Sequence, residues 1–283
     1  MTGDPVDAVF DAVAEIAPEI REGLVGRREY EGEENPSGDA QLEADVHADR
    51  LFEERLLAID GVASYASEER EEVVEADGDG EYHVALDPLD GSTNVRPNNA
   101  MGTVVGVYDD PLPAGGDALV GAGFVLFGPL TTMAVARDGT LTEWVLHEGE
   151  RHTTDDDAEL PDDPTVYGFG GRVPDWTDDF RAFVESLQGE LKLRYGGAMI
   201  GDVNQVLTYG GIFGYPALRD RPEGKLRLQF EGIPIAAVVE AAGGASSDGE
   251  RSLLAEPPEE LHQRTPLFVG NEGYIDRLED ALE

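Results

Sequence analysis

One eight-residue segment restricts the fold of this chain more than any other part of its sequence. The β-rich run from Glu81 to Leu86 predicts a short strand, which leads directly into Asp87-Pro88-Leu89-Asp90-Gly91-Ser92-Thr93-Asn94. Two carboxylates three residues apart on a loop that ends a strand can converge on hard divalent cations, which prefer oxygen ligands. The glycine and the two hydroxyl residues that follow offer backbone N–H groups where a helix could begin, which favours phosphate binding. The segment therefore predicts a metal site beside a phosphate site.

The spacing of the two acids is weak support when it is taken alone. The chain contains 60 acidic residues among 283, so about a dozen acid pairs at this spacing arise by chance. Asp87 and Asp90 by themselves are equally consistent with a solvated acidic surface. The complete octapeptide is much more specific, because the strand, the acids, the glycine and the hydroxyls must all occur in this order.

The excess of acid shapes the whole surface of the protein. The formal net charge is −40, and the only lysines are Lys192 and Lys225. Repulsion at that density destabilises a compact state unless salt screens it, and at molar salt the Debye length is about 3 Å. We therefore expect a halophilic protein; the alternative is an acidic protein from an ordinary cell. Nucleic acid is not expected as a partner, because phosphate backbones require clustered lysine and arginine.

Length and composition bound the remaining possibilities. With 283 residues, 40% of them hydrophobic, the chain can form one large domain or two ordinary ones. Apolar stretches such as Ile233 to Val239 are far shorter than the roughly 20 residues of a membrane span, so no membrane association is expected. The segment Met1 to Phe10 lacks the features of a secretory signal, which predicts a cytoplasmic location. The absence of cysteine excludes disulfides, thiolate metal sites and cysteine nucleophiles.

Hydrophobic periodicity predicts a sheet-rich first half and an alternating second half. Helices are predicted over residues 6–25 and along the pattern from Leu42 to Leu56. Further strands are predicted at Thr103 to Tyr108, Leu119 to Phe127, Thr132 to Arg137, Leu141 to Leu146 and Val166 to Phe169, and further helices at about Trp176 to Gln188, Ile200 to Tyr209 and Pro234 to Ala242. The acidic stretch from Glu148 to Pro164 has no periodicity and predicts a linker. We therefore expect two lobes, a metal- and phosphate-binding lobe over residues 1–152 and a sugar-phosphate-binding lobe over residues 153–283.

The octapeptide is similar to the D-P-(I/L)-D-G-(S/T) signature of the lithium-sensitive, metal-dependent sugar phosphatases, which include the inositol monophosphatases and the fructose bisphosphatases. Tyr209-Gly210-Gly211-Ile212-Phe213-Gly214-Tyr215-Pro216, followed by Gly224-Lys225-Leu226-Arg227-Leu228 and Glu231, resembles the class I fructose-1,6-bisphosphatase pattern and not the tryptophan-aspartate motif of the inositol branch. The resemblance continues through Leu191 to Asp202 and His262 to Pro266, and it covers most of the chain from Asn35 onward.

The resemblance implies a fold and an activity. The fold is an α+β N-terminal lobe with an α/β C-terminal lobe, arranged as a five-layered α-β-α-β-α sandwich with the site between the lobes. The activity is Mg²⁺-dependent hydrolysis of the 1-phosphate of fructose 1,6-bisphosphate to fructose 6-phosphate and phosphate in gluconeogenesis, with a metal-activated water as the nucleophile. The resemblance implies two or three Mg²⁺ ions per subunit, with Mn²⁺ as a possible substitute. It also implies a homo-oligomer, either a dimer or a tetramer.

The resemblance also assigns roles to individual residues. The implied metal ligands are Asp39, Glu68, Asp87, the backbone carbonyl of Leu89, Asp90 and Glu231. The acids that match those helping to activate the water are Asp45 and Glu69. The implied substrate-binding residues are Asp90, Gly91, Ser92, Thr93, Arg194, Tyr195, Met199, Tyr215, Lys225 and Arg227. Arg194 matches an arginine that reaches the 6-phosphate from a neighbouring subunit. Lys225 also stands out without the family, because a chain nearly free of lysine retains one where an ammonium suits a phosphate.

Two departures from the family pattern leave alternatives open. Gly170 and Val173 stand where the family has an asparagine and a tyrosine on the 6-phosphate, with Arg172 nearby as a substitute contact. Another substrate, such as sedoheptulose 1,7-bisphosphate or an inositol phosphate, is therefore the first alternative, and a non-catalytic sugar-phosphate-binding regulator is the second. Glu81 and Asp109 fall where the family's AMP site has a basic pair, which predicts that AMP does not inhibit.

Overall fold

The computed structural model describes residues 3–27, 30–34 and 40–283 of the chain. Its helices are α1 (Pro5–Gly23), α2 (Glu43–Leu56), α3 (Asp178–Leu187), α4 (Met199–Tyr209), α5 (Ile233–Ala241) and α6 (Glu272–Leu282). Its strands are β1 (Tyr30–Glu34), β2 (Ala40–Leu42), β3 (Val62–Ser67), β4 (Val74–Glu75), β5 (Tyr82–Asp90), β6 (Met101–Tyr108), β7 (Leu119–Phe127), β8 (Thr131–Arg137), β9 (Thr140–His147), β10 (Glu150–Asp155), β11 (Val166–Phe169), β12 (Lys192–Leu193), β13 (Gly211–Tyr215), β14 (Leu226–Arg227), β15 (Ala245–Ser247), β16 (Arg264–Thr265) and β17 (Leu267–Gly270).

Two large sheets form the framework. The first has eight strands in the order β10-β9-β8-β7-β6-β5-β3-β4, and its neighbours are antiparallel except for the parallel pair β3 and β5. The second has five strands in the order β12-β11-β13-β17-β15, with β11 parallel to both of its neighbours. The short pairs β1 with β2 and β14 with β16 lie outside these sheets.

Helices cover both sheets and separate them, which gives five layers. Helices α1 and α2 share a buried cluster with one face of the eight-stranded sheet. Helices α4 and α5 lie in the cluster between the two sheets, and α3 and α6 cover the outer face of the five-stranded sheet. The predicted α-β-α-β-α sandwich is therefore confirmed, and every sheet face that must exclude water has a helical partner.

The sequence explains why each element takes its layer. Helix α5 is apolar on nearly every side, which suits a helix buried between two sheets. Helix α1 is amphipathic and begins where the Asp4 carboxylate accepts a hydrogen bond from the Val6 amide at 2.9 Å, with Pro5 at the first position. Along the central strand β6, Val104 points to the cluster between the sheets and Val105 to the cluster beneath α1, as a period of two requires.

Two expectations about strand ends change in the structure. Strand β5 does not end at Leu86 but continues to Asp90, and its pairing with β6 shifts register between Asp87 and Asp90. Residues Glu150–Asp155, expected in a linker, form the exposed edge strand β10. The expected boundary between residues 152 and 153 falls inside this strand, and the division into two lobes stays a prediction. Within the described part of the chain, no helix combines the length and the apolar character needed to cross a bilayer.

Candidate active site

A cavity of about 250 Å³ opens where β3, β5 and β13 end and where α2 and α4 begin. It brings together most of the residues that the sequence predicted for a site. Its lining consists of Asp45, Glu68, Glu69, Asp87, Leu89, Asp90, Gly91, Ser92, Thr93, Gly197, Ala198, Tyr215, Lys225, Leu226 and Glu231. Residues from both sheets contribute, so the pocket exists only when the two sheets are stacked.

Three carboxylates converge on one side of the pocket. Oxygen atoms of Glu68, Asp87 and Glu231 lie within 4.8 Å of one another, and Asp87 and Glu231 are each 4% exposed. Glu68 follows β3, Asp87 lies in β5, and Glu231 lies in a π-helical turn that precedes α5. Carboxylates this close repel each other unless a proton or a cation neutralises them. An all-oxygen set of this kind fits a hard divalent cation.

Burial and mutual repulsion change the acidity of this group. The pKa of Asp87 is raised well above its ordinary value by burial and then by the charges of Glu68, Glu231 and Asp90. The pKa of Glu231 is also raised well above its ordinary value, by burial and then by Glu68 and Asp90. The free pocket therefore favours protonation, and binding of a cation must release protons from it.

Local backbone geometry fixes these acids in place. The Leu89 amide donates to Asp87 Oδ1 at 2.9 Å, within the irregular end of β5. The Thr103 hydroxyl on β6 donates to the Pro88 carbonyl at 2.9 Å, which anchors the same segment. At the start of the π-helical turn, the Arg227 amide donates to Glu231 Oε2 at 2.6 Å. Each acid thus approaches its neighbours because the main chain holds it there.

Asp90 connects the octapeptide to α4. Its Oδ2 accepts a hydrogen bond from the Ile200 amide in the first turn of that helix at 2.7 Å. Burial raises the pKa of Asp90 to about 6, although this amide and the positive charge of Lys225 oppose the rise. The carboxylate therefore connects the strand end that carries Asp87 to the helical layer between the two sheets.

Asp45 lines the pocket from the first turn of α2. Its Oδ2 accepts a hydrogen bond from the Leu42 amide at 2.8 Å. Burial raises the pKa of Asp45 to about 7, while the Leu42 amide and the Ser92 hydroxyl lower it. Glu69, the neighbour of Glu68, also lines the pocket. A carboxylate with a pKa near neutrality is suited to accept a proton from water.

The turn after β5 lies tightly against the start of α4. Gly91 has a φ of +74°, and a Cβ atom on it would lie 2.2 Å from Cβ of Ala198. Only glycine fits this position, because both the left-handed backbone and the close approach exclude a side chain. Ser92 and Thr93 begin a short 3-10 helix directly after it, with both residues on the pocket wall.

The pocket wall also carries a cation, Lys225, and a phenol, Tyr215, whereas a second phenol, Tyr195, lies beside the pocket. Lys225 Nζ lies 5.2 Å from the centroid of the Tyr215 ring, and the hydroxyls of Tyr195 and Tyr215 are 3.1 Å apart. A Cβ atom at Gly170 would lie 2.2 Å from the Tyr215 ring. The departure at Gly170 thus leaves room for that ring. Arg172, considered as a substitute contact, is exposed and pairs with Asp175 at 2.7 Å instead.

Several residues predicted for the site lie beside the pocket rather than on its wall. Arg194 lies with its guanidinium carbon 5.8 Å from the Tyr209 ring centroid, and Met199 is buried at the first position of α4. Arg227 is 1% exposed and lies behind the acids, with Nη2 3.9 Å from Glu68 Oε1. Asp39, with its segment Asn35–Asp39, lies outside the described residues.

Two supporting residues were missed by the sequence reasoning. Asp202 accepts hydrogen bonds from the Gly196 amide at 2.8 Å, and Asn94 donates to the Gly196 carbonyl at 3.0 Å. Together they hold the segment that places Gly197 and Ala198 on the pocket wall. The signal for Asn94 was present, since it is the last residue of the octapeptide. Asp202, an acid in the first turn of α4, ends the matched stretch from Leu191 to Asp202, but nothing in the sequence indicated a role for it.

Comparisons with known proteins agree with this geometry. Residues 7–155 match the family model "Fructose-1-6-bisphosphatase, N-terminal domain", and residues 160–283 match "Fructose-1-6-bisphosphatase, C-terminal domain". The chain is 68% identical to a class 1 fructose-1,6-bisphosphatase of Natronomonas pharaonis over 280 residues, which cover 99% of each chain. It is 60% identical to one of Halobacterium salinarum, over 99% of this chain and 98% of that relative. The holo form of Leishmania major fructose-1,6-bisphosphatase superposes with a TM-score of 0.91 at 30% identity, over 98% of this chain and 92% of that structure.

Proposed function

The chain belongs to the class 1 fructose-1,6-bisphosphatase family, and from this premise we propose how its pocket hydrolyses fructose 1,6-bisphosphate to fructose 6-phosphate and phosphate. One observation carries the proposal: the carboxylates of Glu68, Asp87 and Glu231 lie within 4.8 Å of one another in a pocket that also holds Lys225. A cation site and a cationic side chain in one cavity suit a substrate with two phosphates.

The family uses divalent metal ions, and Mg²⁺ is the ion proposed here. The proposed ligands are Glu68, Asp87, Asp90, Glu231 and the backbone carbonyl of Leu89. Two or three ions bind per subunit, with Asp39 as a ligand of the third, and Mn²⁺ can replace Mg²⁺. When bound, the ions supply positive charge that neutralises phosphate oxygens and makes a coordinated water more acidic. Arg227, buried behind Glu68, adds a fixed positive charge on the same side.

Asp45 and Glu69 handle the proton of the attacking water. Asp45 has a pKa raised to about 7, so its carboxylate can both accept a proton and release it near neutrality. Glu69 also lines the pocket and shares this role in the proposal. The 1-phosphoryl group lies against Gly91, Ser92 and Thr93, whose backbone amides and hydroxyls can bind its oxygens. As the water oxygen bonds to phosphorus, the bond from phosphorus to the sugar oxygen breaks, and that oxygen takes up a proton to give fructose 6-phosphate.

The sugar and its 6-phosphate occupy the part of the pocket that Lys225 and Tyr215 line. Lys225, Tyr215 and Tyr195 bind that phosphate, and Met199 with its neighbouring backbone lies beside the sugar. Arg194 lies away from this chain's own pocket, next to Tyr209, which supports a role towards a neighbouring subunit. The proposed assembly is therefore a homo-oligomer, either a dimer or a tetramer.

The cellular setting proposed is gluconeogenesis in a salt-rich cytoplasm. The net charge of −40 supports it, as does the high identity to relatives from halophiles. Inhibition by AMP is not expected, because Glu81 and Asp109 replace the basic pair of the family's nucleotide site.

Phosphate release from a panel of substrates tests the assignment. The purified protein is assayed at molar KCl with Mg²⁺ on fructose 1,6-bisphosphate, sedoheptulose 1,7-bisphosphate and inositol phosphate. We expect a strong preference for fructose 1,6-bisphosphate and no submillimolar inhibition by AMP. A preference for either other substrate supports the first alternative, whereas substrate binding without any phosphate release supports a non-catalytic regulator.

A further inference from the structure

Arg70 lies where the segment that carries Glu68 and Glu69 meets α2, although it does not line the pocket. Its Nε donates to Asp49 Oδ2 at 2.7 Å, and its Nη2 donates to Glu53 Oε2 at 2.6 Å. Asp49 and Glu53 are one turn apart on α2, the helix whose first turn supplies Asp45. One guanidinium therefore joins the segment after β3 to the helix that supplies Asp45 to the pocket.

The partner that receives Arg70 is itself fixed. Asp49 is buried, and its Oδ1 accepts a hydrogen bond from the Tyr65 hydroxyl at 3.0 Å. Tyr65 is fully buried in β3, only a few residues before Glu68. The planar guanidinium presents its donors in a fixed fork, so contacts to two carboxylates restrain its orientation as well as its position.

The backbone of Arg70 is held from a third direction. His262 Nε2 donates to the Arg70 carbonyl at 2.7 Å, and the His262 ring centroid lies 5.1 Å from that of Phe230. Phe230 directly precedes Glu231 in the π-helical turn. Arg70 is thus tied through its side chain to the helix of Asp45 and through its main chain to the segment beside Glu231.

We propose that Arg70 is a positioning residue for the metal site: it holds Glu68 and Glu69 at a fixed separation from Asp45 and Glu231. The acids that converge in the pocket repel each other, and without a tether the segment after β3 relaxes away from the others. Groups that orient the ligands of a metal change its affinity about 10- to 100-fold when removed. This inference rests on the metal site of the proposed function.

Binding of Mn²⁺ alone, measured by electron paramagnetic resonance at molar KCl, tests the inference without relying on activity. We expect Arg70→Gln to weaken Mn²⁺ binding about tenfold. The Mg²⁺ concentration for half-maximal hydrolysis rises by a similar factor, whereas KM for fructose 1,6-bisphosphate at saturating Mg²⁺ changes less than about twofold. Mn²⁺ affinity within about twofold of the unsubstituted protein overturns the inference.

Arg137→Gln is the matched control. Arg137 is 27% exposed against 26% for Arg70. Besides its sequence neighbour Asp138 at 3.8 Å, it contacts the carboxylates of Asp4 at 2.6 Å and Asp7 at 3.5 Å. Those acids belong to the start of α1 and the cap before it, away from the pocket. We expect this variant to bind Mn²⁺ normally. An equal loss of affinity in both variants would assign the effect to lost charge and would overturn the positioning role.

Two further variants keep the result interpretable. Arg70→Lys retains the charge but loses the fork, so we expect an intermediate, about threefold loss of Mn²⁺ affinity. Glu53→Gln removes a half-exposed partner and leaves Arg70 in place, so it decides the question if Arg70→Gln does not fold. Unchanged Mn²⁺ affinity in Glu53→Gln would then count against the tether. An unsubstituted protein that binds Mn²⁺ but hydrolyses no substrate refutes the proposed function instead.

Discussion

The acids on the outer helices and the acids in the pocket are the same residue types in opposite surroundings. Asp179 and Glu185 on α3 are exposed to solvent, whereas Asp87 and Glu231 are each 4% exposed and have pKa values raised by burial. Exposed carboxylates act collectively, through a net charge that diffuse salt can screen. Buried ones act individually and require a bound ion or a proton. We therefore predict two separate dependences on ions, one on bulk salt and one on a divalent cation.

The largest expected effect comes from comparing the activity of a variant that lacks a pocket acid with that of a variant that lacks a surface acid. Asp90→Asn removes a charge that the proposed metal site requires, and we expect kcat/KM for fructose 1,6-bisphosphate to fall about 1000-fold or more. Asp179→Asn removes the same charge from α3 and should leave kcat/KM unchanged. Phosphate release at molar KCl measures both. Comparable losses in the two variants would show that total charge, and not its place, controls activity.

The next largest effect concerns the substrate rather than the metal. Lys225→Met removes the cation that lies 5.2 Å from the Tyr215 ring centroid. A contact made equally in the ground and transition states raises KM without changing kcat, so we expect KM to rise about 10- to 100-fold and kcat to change much less. Lys192→Met, on the exposed edge strand β12, is the control. A fall in kcat with an unchanged KM would place Lys225 in the chemical step.

The pocket acids should also make metal binding and stability depend on pH in a defined direction. Burial raises the pKa of Asp90 to about 6 and that of Asp45 to about 7 in the folded state. Their contribution to the stability of the metal-free protein is therefore complete below the ordinary carboxylate value near 4, and it is lost as pH rises through about 6 to 7. Bound cations require the deprotonated forms, so the sign reverses when metal is present.

Thermal melts at molar KCl, where surface repulsion is screened, measure this linkage. We expect the metal-free protein to melt at a higher temperature at about pH 5.5 than at about pH 7.5, and saturating Mg²⁺ to remove or reverse the difference. Half-saturation by Mg²⁺ should require about tenfold more metal at the lower pH. Asp45→Asn should reduce the pH dependence of the metal-free melt. A melt that is independent of pH would contradict the raised pKa values.

The smallest effect concerns the surface acids. The melting temperature should rise by several degrees between low and molar KCl, because screening reduces repulsion among the exposed carboxylates. Asp90→Asn, which changes one buried charge, should keep nearly the same salt dependence. Equal stability of the unsubstituted protein at both salt concentrations would refute the halophilic interpretation.

Much of the fold could be predicted because its elements have clear periodicity. Strand β7 and strand β11 have the predicted bounds, and α4 begins one residue before its predicted start. Strand β10 was missed because both of its faces are exposed, so its side chains do not alternate between apolar and polar. The end of β5 was misplaced because Asp87-Pro88 normally breaks a strand, whereas here the register shift accommodates it.

Site residues that belong to a recognisable motif could be predicted from the sequence. Site residues whose position depends on tertiary packing could not. The octapeptide and Glu231 were predicted, and the structure brings Asp87 and Glu231 together from positions far apart in the chain. No pattern indicated that the guanidinium of Arg227 is buried, or that Arg70 reaches across to α2. Both facts depend on how separate layers stack, which local spacing does not encode.

The close contact of Gly91 with Ala198 has a consequence for how this protein can evolve. The two residues belong to different halves of the chain, and the fit between them leaves no space for an added methyl group. If recombination replaces one half by the corresponding half of a distant homologue, the new chain must therefore keep the contact between Gly91 and Ala198 as well as the packing inside each half. The two halves must therefore evolve together at this contact, although neither residue has a chemically reactive side chain.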